Sequence, residues 1–438
     1  MRFSRTLLSN SLVLLILFLL PFQTRWIFNE MTIAGQPWEY GRLSLYAVEA
    51  MIMAASVLRG TIRLDAKIEP FIKPTILLLG ALFLGASFSQ NITLAFSAIL
   101  HASAAVALFA ILLDQRTNAK AAASAFVLGL IVPAALAWYQ VVTGTSPSST
   151  ILGLASHDAA TLGASVVETA LSRVLRGYGT LPHPNIFGGY LAIGTIVAAW
   201  LAANGRRAGY VLPVLAATLV VTFSRGAWLA AIVGLALAAA LAHKFPSPSK
   251  GEGRGEVRAV SGRRQSGTAV AFVSLLAVIL TVATFRAPIF TRLDATSRLE
   301  EKSVSERTSE YQIYPDVVRQ NAFTGVGAGN YTFALATLYP GKDVWFYQPL
   351  HNAILLFLAE TGILGLLVVA RFAQVLVGFL RNKRSSFNRV AVLPVLAAVL
   401  ILALIDHYLW SLWPGMSLAA VALAIAIKSS IDNAADER

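Results

Sequence analysis

The stretches SLVLLILFLL (residues 11–20) and AWLAAIVGLALAAALA (residues 227–242) decide the fold class of this chain. Similar long, unbroken apolar runs recur from one end of the sequence to the other. A helix needs about 20 such residues to cross a bilayer, whereas the strands of an outer-membrane barrel alternate apolar and polar residues over short segments. The sequence therefore predicts an all-α polytopic membrane protein.

The composition agrees with this class. Hydrophobic residues make up 56% and charged residues 13% of the 438 positions, which leaves too little polar surface to cover a soluble globule. The absence of cysteine excludes disulfides and thiolate metal sites. The first apolar run follows Arg2 and Arg5 and lacks a small-residue cleavage pattern, so we expect a retained span and not a cleaved signal peptide.

Windows of about 20 residues predict about twelve transmembrane helices. The expected spans lie near 6–23, 43–58, 72–89, 92–113, 120–143, 184–203, 207–223, 226–242, 268–285, 352–370, 390–406 and 412–427. Together they form a single integral membrane domain over residues 1–438.

The Lys and Arg residues predict the orientation, because these residues collect on the cytoplasmic side of a membrane. With both termini cytoplasmic, most of the 35 Lys and Arg residues fall in cytoplasmic segments. We therefore expect a multi-pass protein of the bacterial inner (cytoplasmic) membrane. Contacts with anionic membrane lipids account for most of the net charge of +13, so no nucleic-acid partner is expected.

Three connecting segments are too long to be simple turns. Residues 144–183 and residues 286–351, the latter between spans nine and ten, are expected to be periplasmic loops, and the larger one is expected to carry site residues with a periplasmic active site. The stretch PSPSKGEGRGEVRAVSGRRQSG (residues 246–267) is rich in Gly, Ser and charge, which predicts a flexible cytoplasmic linker over 243–267.

The first candidate cation is Arg225, in TFSRGAW (residues 222–228) at the external edge of the membrane. Placing a cation at this depth costs free energy, so a compensating interaction is expected. One interpretation is an interfacial arginine that reaches toward water. The other is a binding site for an anionic group.

The large loop contributes SERTSEYQIYPDVVRQNAFTGVGAGNY (residues 305–331), with Arg307 and Arg319 on a predicted amphipathic helix. A solvated helix face is the simpler explanation for Arg319. GVGAGN (residues 325–330) does not follow a strand or open a helix in a βαβ unit, so it does not indicate a nucleotide site. We expect a turn that lets backbone approach backbone, or a polar headgroup.

His351 and Asn352 stand at the outer mouth of the tenth span, with Glu360 deeper in the same helix. Histidine is the ordinary side chain suited to moving a proton near neutral pH, although a histidine at a helix start is often a cap. Glu360, about two and a half turns below, could orient His351 or pair with another intramembrane polar group.

The ordered set PHPNIFGGYL (182–191), TFSRGAW, ERTSEYQIY (306–314) with GVGAGNY, and HNAILLFLAETGILG (351–365) resembles the O-antigen ligase and O-antigen polymerase superfamily. The resemblance covers roughly residues 180–370 and, in topology, the whole chain. It implies a GT-C-like, metal-independent glycosyltransferase architecture that acts on undecaprenyl-diphosphate-linked glycan at the periplasmic face.

The resemblance also implies roles for individual residues. Arg225 and Arg307 would bind the lipid diphosphate, with the match at Arg307 complicated by the nearby Arg298, and His351 would be the catalytic base. Supporting roles fall to His183, Asn185, Arg319, Asn352 and Glu360. The chemistry is consistent without a metal or cofactor, because two guanidinium groups can stabilise a departing diphosphate.

Several alternatives remain open at this level. The acceptor could be the lipid A core (a ligase), another glycan repeat (a polymerase) or a protein side chain (an O-oligosaccharyltransferase). A different class, a membrane transporter of the bicarbonate-transporter type, would place its polar residues at mid-membrane and use paired broken helices. The few charges within the predicted spans, chiefly Glu49, Glu360 and Asp406, favour the enzyme.

Overall fold

The computed structural model describes residues 5–33, 35–169, 172–244, 254–294, 298–381 and 386–436. Within these residues, eight helices are long and apolar enough to cross a membrane, and they lie at Glu69–Ala86, Ile92–Leu113, Ala119–Thr143, Pro184–Ala203, Arg225–Lys244, Gly267–Thr284, Ala353–Arg381 and Trp413–Asp432. Shorter apolar helices are Arg5–Leu19, Arg207–Val221 and Arg389–Ile405. The protein is a helical, multi-pass membrane protein, as the sequence predicts.

The helices are numbered in chain order. In order they are α1 (Arg5–Leu19), α2 (Ala47–Arg59), α3 (Ile72–Ala86), α4 (Ile92–Leu113), α5 (Ala119–Gly129), α6 (Ile131–Thr143), α7 (Pro184–Ala203), α8 (Leu212–Val221), α9 (Arg225–Lys244), α10 (Arg254–Thr284), α11 (Arg286–Asp294), α12 (Arg298–Val318), α13 (Tyr331–Leu338), α14 (Ala353–Arg381), α15 (Ser386–Ile405), α16 (Tyr408–Ser411) and α17 (Trp413–Asp436).

Within the part of the chain that the structure describes, six strands form three antiparallel pairs outside the helices. The pairs are β1 (Arg25–Ile33) with β2 (Gln36–Tyr46), β3 (Thr145–Ser146) with β4 (His157–Asp158), and β5 (Val166–Glu168) with β6 (Arg173–Leu175). The first pair is a long hairpin between α1 and α2. The other two pairs lie in the segment expected as the 144–183 loop.

The hairpin corrects one predicted span. Strand β2 continues to Tyr46, and α2 begins only at Ala47 and has 13 residues. At 1.5 Å per residue, a helix of this length covers about 20 Å, short of the ~30 Å hydrocarbon core. The span expected near 43–58 is therefore partly strand. The predicted span near 120–143 is divided at Leu130 into α5 and α6.

The linker expected over 243–267 lies partly outside the described residues, which omit 245–253. On either side of that gap the chain is helical, in α9 to Lys244 and in α10 from Arg254. The C-terminal part of this segment is therefore a helix, contrary to the flexible chain that its composition predicts.

Helix α7 lies at the centre of the bundle, with 83% of its apolar window buried. Glycines on α7 allow close packing, as small residues do between membrane helices. A Cβ added at Gly188 would lie 2.8 Å from Ala227 Cβ, and one at Gly189 would lie 2.1 Å from the Tyr408 hydroxyl. The packing of α7 thus fixes the first turn of α9 and the start of α16, where Tyr408 lines the cavity of the candidate site.

Candidate functional site

The candidate site is built where α14 begins. Asn352 caps this helix, because its side-chain oxygen accepts hydrogen bonds from the backbone N–H groups of Ile354 (3.1 Å) and Leu355 (3.0 Å). The cap is therefore the residue that follows His351. A capping role therefore does not explain why a histidine occupies position 351.

The imidazole of His351 instead pairs with Glu310 of α12. Its Nδ1 lies 2.8 Å from Glu310 Oε1 and 3.0 Å from Oε2, and its backbone N–H donates to Oε2 at 2.9 Å. The backbone bond fixes the carboxylate next to the ring, so Nδ1–H donates to Glu310 and Nε2 is left to act on a substrate. This is the arrangement of a histidine base oriented by a carboxylate.

Glu310 also changes the acidity of His351. Burial lowers the pKa of the His351 imidazole, but the hydrogen bond to Glu310 and the negative charges of Asp406 and Glu310 outweigh it. The pKa is therefore raised above its ordinary value of 6.5. A higher pKa makes the neutral imidazole a stronger proton acceptor.

Arg307 lies three residues before Glu310 on α12, which places both on one face of the helix. Its positive charge acts on both His351 and His407, where it lowers the pKa of each imidazole. Its Nε is buried and has no hydrogen-bond partner among the described residues. A buried donor without a partner is costly, and an anionic ligand would satisfy it.

His351 lines a cavity of about 420 Å³. Three other histidines line it, and burial lowers the pKa of each one: His157 below its ordinary value, His183 to about 3 and His407 to about 4. These three are neutral at pH 7. His351 is thus the lining histidine whose pKa suits proton transfer near neutrality.

A chain of polar contacts connects this cavity to the turn before α9. Asn185 Nδ2 donates to Asp406 Oδ2 at 2.9 Å, and Arg176 Nη2 donates to Asn185 Oδ1 at 2.6 Å. Arg176 Nε also donates to the carbonyl of Thr222 at 2.9 Å. Burial would raise the pKa of the Asp406 carboxyl, but the nearby imidazoles and the Asn185 amide hold it below its usual range.

His183 and Asn185, both expected as supporting residues, lie at the start of α7. His183 caps α7, with Nδ1 accepting from the Asn185 N–H at 3.2 Å, and its Nε2 lies 2.9 Å from Ser165 Oγ. Both ring nitrogens are therefore used within the protein. Asn185 lines the cavity and holds Asp406.

Arg225 opens α9 and lies beside α11, where its Nη1 donates to the carbonyl of Arg292 at 3.0 Å. Arg292 Nε in turn donates to the carbonyl of Phe223 at 3.1 Å. Among the described residues that line the 420 Å³ cavity, neither Arg225 nor Arg307 is present. The two arginines are thus outside the cavity, and the structure gives the diphosphate role of Arg225 no direct support.

Glu360 does not orient His351. Its carboxylate accepts hydrogen bonds from the N–H groups of Gly329 (2.9 Å) and Tyr331 (3.2 Å) and from Trp410 Nε1 (2.7 Å). The alternative expectation, that it pairs with other buried polar groups, is the correct one.

The Gly-rich segment before α13 is a turn in which backbone contacts backbone, as predicted. Gly325, Gly327 and Gly329 all have positive φ, and a Cβ at Gly325 would lie 2.3 Å from the Glu360 carbonyl carbon. Helix α14 breaks at Gly362, and the turn fills the break, with the Gly327 N–H donating to the Glu360 carbonyl at 3.1 Å. The turn therefore stabilises the break in α14, the helix that begins at the candidate site.

Arg319 is a solvated helix residue, as its simpler explanation predicts. Its side chain is 79% exposed and pairs with Asp316 at 3.4 Å. An exposed pair of this kind contributes little to stability.

Sequence reasoning gave no site role to three residues that the structure places at the candidate site: Glu310, Asp406 and Arg176. Glu310 stands in the quoted motif ERTSEYQIY, three residues after Arg307, and this spacing was the available signal. Asp406 lies directly after an apolar run, at a span end, which is where a buried carboxylate indicates function. No local pattern distinguishes Arg176 from the other arginines of the segments between the predicted spans.

A family model matches part of the chain. Residues 208–370 match the family model described as O-antigen ligase. The resemblance to the O-antigen ligase and polymerase superfamily is confirmed over this stretch, which contains Arg225, Arg307, Glu310 and His351. It implies a glycosyltransferase or ligase type of enzyme, with O-antigen ligase or related polymerase activity. No curated protein matches the chain.

Proposed function

We propose that this protein is an O-antigen ligase-like glycosyltransferase that moves a glycan from undecaprenyl diphosphate to an acceptor hydroxyl at the periplasmic face of the inner membrane. The observation that carries the proposal is the pairing of His351 with Glu310, next to Arg307 on the same helix face. The proposed base thus has an orienting carboxylate and a cation, both supplied by α12.

The base acts on the acceptor. His351 Nε2 takes the proton of the acceptor hydroxyl while its oxygen attacks the anomeric carbon of the donor glycan. The bond between that carbon and the diphosphate oxygen breaks, and both electrons leave with the lipid diphosphate. A single displacement of this kind inverts the configuration of the anomeric carbon.

The arginines act on the donor. The departing diphosphate gains negative charge, and a guanidinium stabilises it through paired hydrogen bonds. Arg307 is the stronger candidate, because its buried Nε has no partner among the described residues. Arg225 contributes if donor binding brings the diphosphate between α9 and α12. With two guanidiniums the reaction needs no metal.

The contacts around the break in α14 favour an enzyme over a transporter. Transporters use the exposed backbone of broken helices to bind ions. In this chain the Glu360 and Ala359 carbonyls accept from Gly327 and Val326 at 3.1 and 3.0 Å, so the protein's own turn uses these groups.

A transfer assay with purified protein tests the proposal. The protein is given undecaprenyl-diphosphate-linked glycan and, in separate reactions, lipid A core, a second repeat unit or an acceptor peptide. Transfer to lipid A core supports a ligase, elongation of the repeat supports a polymerase, and a glycopeptide supports an O-oligosaccharyltransferase. No transfer to any acceptor, with donor binding retained in a control, would contradict the proposal.

A further inference from the structure

The 420 Å³ cavity is large enough for a small-molecule group, and its walls come from three parts of the chain. One wall is the β1–β2 hairpin, one is the segment between α6 and α7, and the third carries His351, Asp406 and His407. The proposed base therefore faces a preformed cavity. Arg307 is not among the residues that line the cavity.

The charged residues of the hairpin wall form ion pairs with one another. Glu39 pairs with Arg25 at 3.2 Å through one carboxylate oxygen and with Arg42 through the other. Arg42 Nε also lies 2.7 Å from Glu30 Oε1. Each guanidinium thus already has a carboxylate partner, and an anionic ligand would have to displace it. A neutral hydroxyl would not, because guanidiniums and carboxylates keep several donor and acceptor sites open for further hydrogen bonds.

The wall formed by the segment between α6 and α7 carries aromatic rings. The rings of His157 and Tyr178 stack with centroids 4.1 Å apart, and both line the cavity. Tyr40 of the hairpin adds a third ring, 5.9 Å from His407. Binding pockets commonly combine apolar aromatic faces with a few placed polar groups. A pyranose ring has matching surfaces, with C–H groups on its faces and hydroxyls around its edge.

The hairpin is held at a fixed position relative to His351. Trp38 of β2 is 2% exposed, and its Nε1 donates to the carbonyl of Tyr347 at 3.3 Å. Tyr347 is four residues before His351, and its own side chain is buried. At the base of the hairpin, the Ala47 N–H donates to the Thr24 carbonyl at 3.0 Å. The hairpin is therefore part of the site and can set which group reaches the base.

We propose that this cavity is the acceptor subsite, and that the hairpin residues Arg25, Glu39 and Arg42 recognise the hydroxyls of a neutral pyranose at the end of the acceptor glycan. The inference rests on the proposed function, which it extends to the chemistry of the acceptor. It separates the two substrates: the acceptor sugar enters on the hairpin side of His351, and the donor diphosphate enters on the α12 side.

The test compares Arg42→Gln with Glu30→Gln. Both changes break the same Arg42–Glu30 pair, but Arg42 lines the cavity and Glu30 does not. Two quantities are measured with the full-length protein in detergent: direct binding of a soluble acceptor glycan that ends in a neutral hexose, and the KM for each substrate. We expect Arg42→Gln to weaken glycan binding and raise the acceptor KM by about tenfold or more, which is the usual effect of losing a hydrogen bond to a charged group. The donor KM should stay within about twofold of wild type, and Glu30→Gln should behave as wild type.

The acceptor chemistry is tested with the same glycan carrying a phosphate on its terminal hexose. The phosphorylated glycan should bind more weakly than the neutral one. Tighter binding of the phosphorylated form, or equal effects of Arg42→Gln and Glu30→Gln, would overturn the inference. Glycan binding is measured without a donor, so a loss of binding in Arg42→Gln would support the acceptor subsite even if the protein transferred no glycan. Failure of the proposed function can therefore be distinguished from failure of this inference.

Discussion

Nδ1 of His351 lies 2.8 Å from Oε1 of Glu310, although 41 residues separate the two in sequence. The contact joins the start of α14 to the middle of α12. It raises the pKa of the imidazole and occupies Nδ1, so Nε2 takes no part in this contact. The proposed transfer reaction depends on this pair.

The first prediction concerns the pH dependence of transfer. A base must be neutral to act, so the rate should rise with pH and reach half its maximum at the pKa of His351, above 6.5. Glu310→Gln removes the charge that stabilises the imidazolium, so the midpoint should move to lower pH. The plateau rate should also fall by about tenfold or more, because the ring is less well oriented. The measurement is kcat/KM for transfer between about pH 5 and about pH 9.

The matched control is Glu306→Gln, which alters another carboxylate of α12 that pairs with Lys302 at 3.6 Å in an exposed position. It should leave both the midpoint and the plateau unchanged. An unshifted midpoint in Glu310→Gln would show that Glu310 does not set the pKa of the base.

The second prediction concerns donor binding by α12. Arg307→Lys keeps the charge but loses the planar group that makes paired hydrogen bonds to phosphate, so donor affinity should fall by about tenfold. Arg319→Lys is the control, because Arg319 is on the same helix but is 79% exposed. Donor binding to the two purified variants is the measurement. Equal affinities would remove Arg307 from the diphosphate site.

The third prediction concerns the packing of the Gly-rich turn against α14. Gly325→Ala forces a Cβ against the Glu360 backbone at a position with φ of 70°, so it should destabilise the protein strongly. Gly341→Ala has a similar φ of 79° but no atom within 4 Å of the added Cβ, so it should cost about 1–2 kcal/mol of backbone strain alone. Thermal unfolding of both variants in detergent is the measurement. A Tm for Gly325→Ala equal to that of Gly341→Ala would contradict the close approach of the turn to α14.

The fold class is predictable because the membrane imposes long apolar runs, and motif order is what proposes His351 and Arg307 as site residues. The β1–β2 hairpin is not predicted. Its second strand, QPWEYGRLSLY, ends in apolar residues that continue into α2, so a window of about 20 residues merges the two.

The partners of the site residues escape prediction for a different reason. Glu310, Asp406 and Asn185 come from three distant segments, and their contacts depend on how α7, α12, α14 and the C-terminal end of α15 pack. A single sequence reveals spacing within a helix, but it does not reveal which helices meet. For the same reason the sequence associates Glu360 with His351, on the same helix, although the contacts of Glu360 are with the Gly-rich turn.

His351 is the proposed base, and replacing it with two different residues tests this assignment most directly. Asn352 already caps α14, so a second asparagine at position 351 restores no missing function. Single-turnover transfer from saturating lipid-linked donor is measured for wild type, His351→Ala and His351→Asn, with donor binding as the control. We predict that both variants bind donor normally and transfer about a hundredfold to ten-thousandfold more slowly than wild type. Transfer at the wild-type rate by His351→Asn would contradict the assignment of His351 as the base.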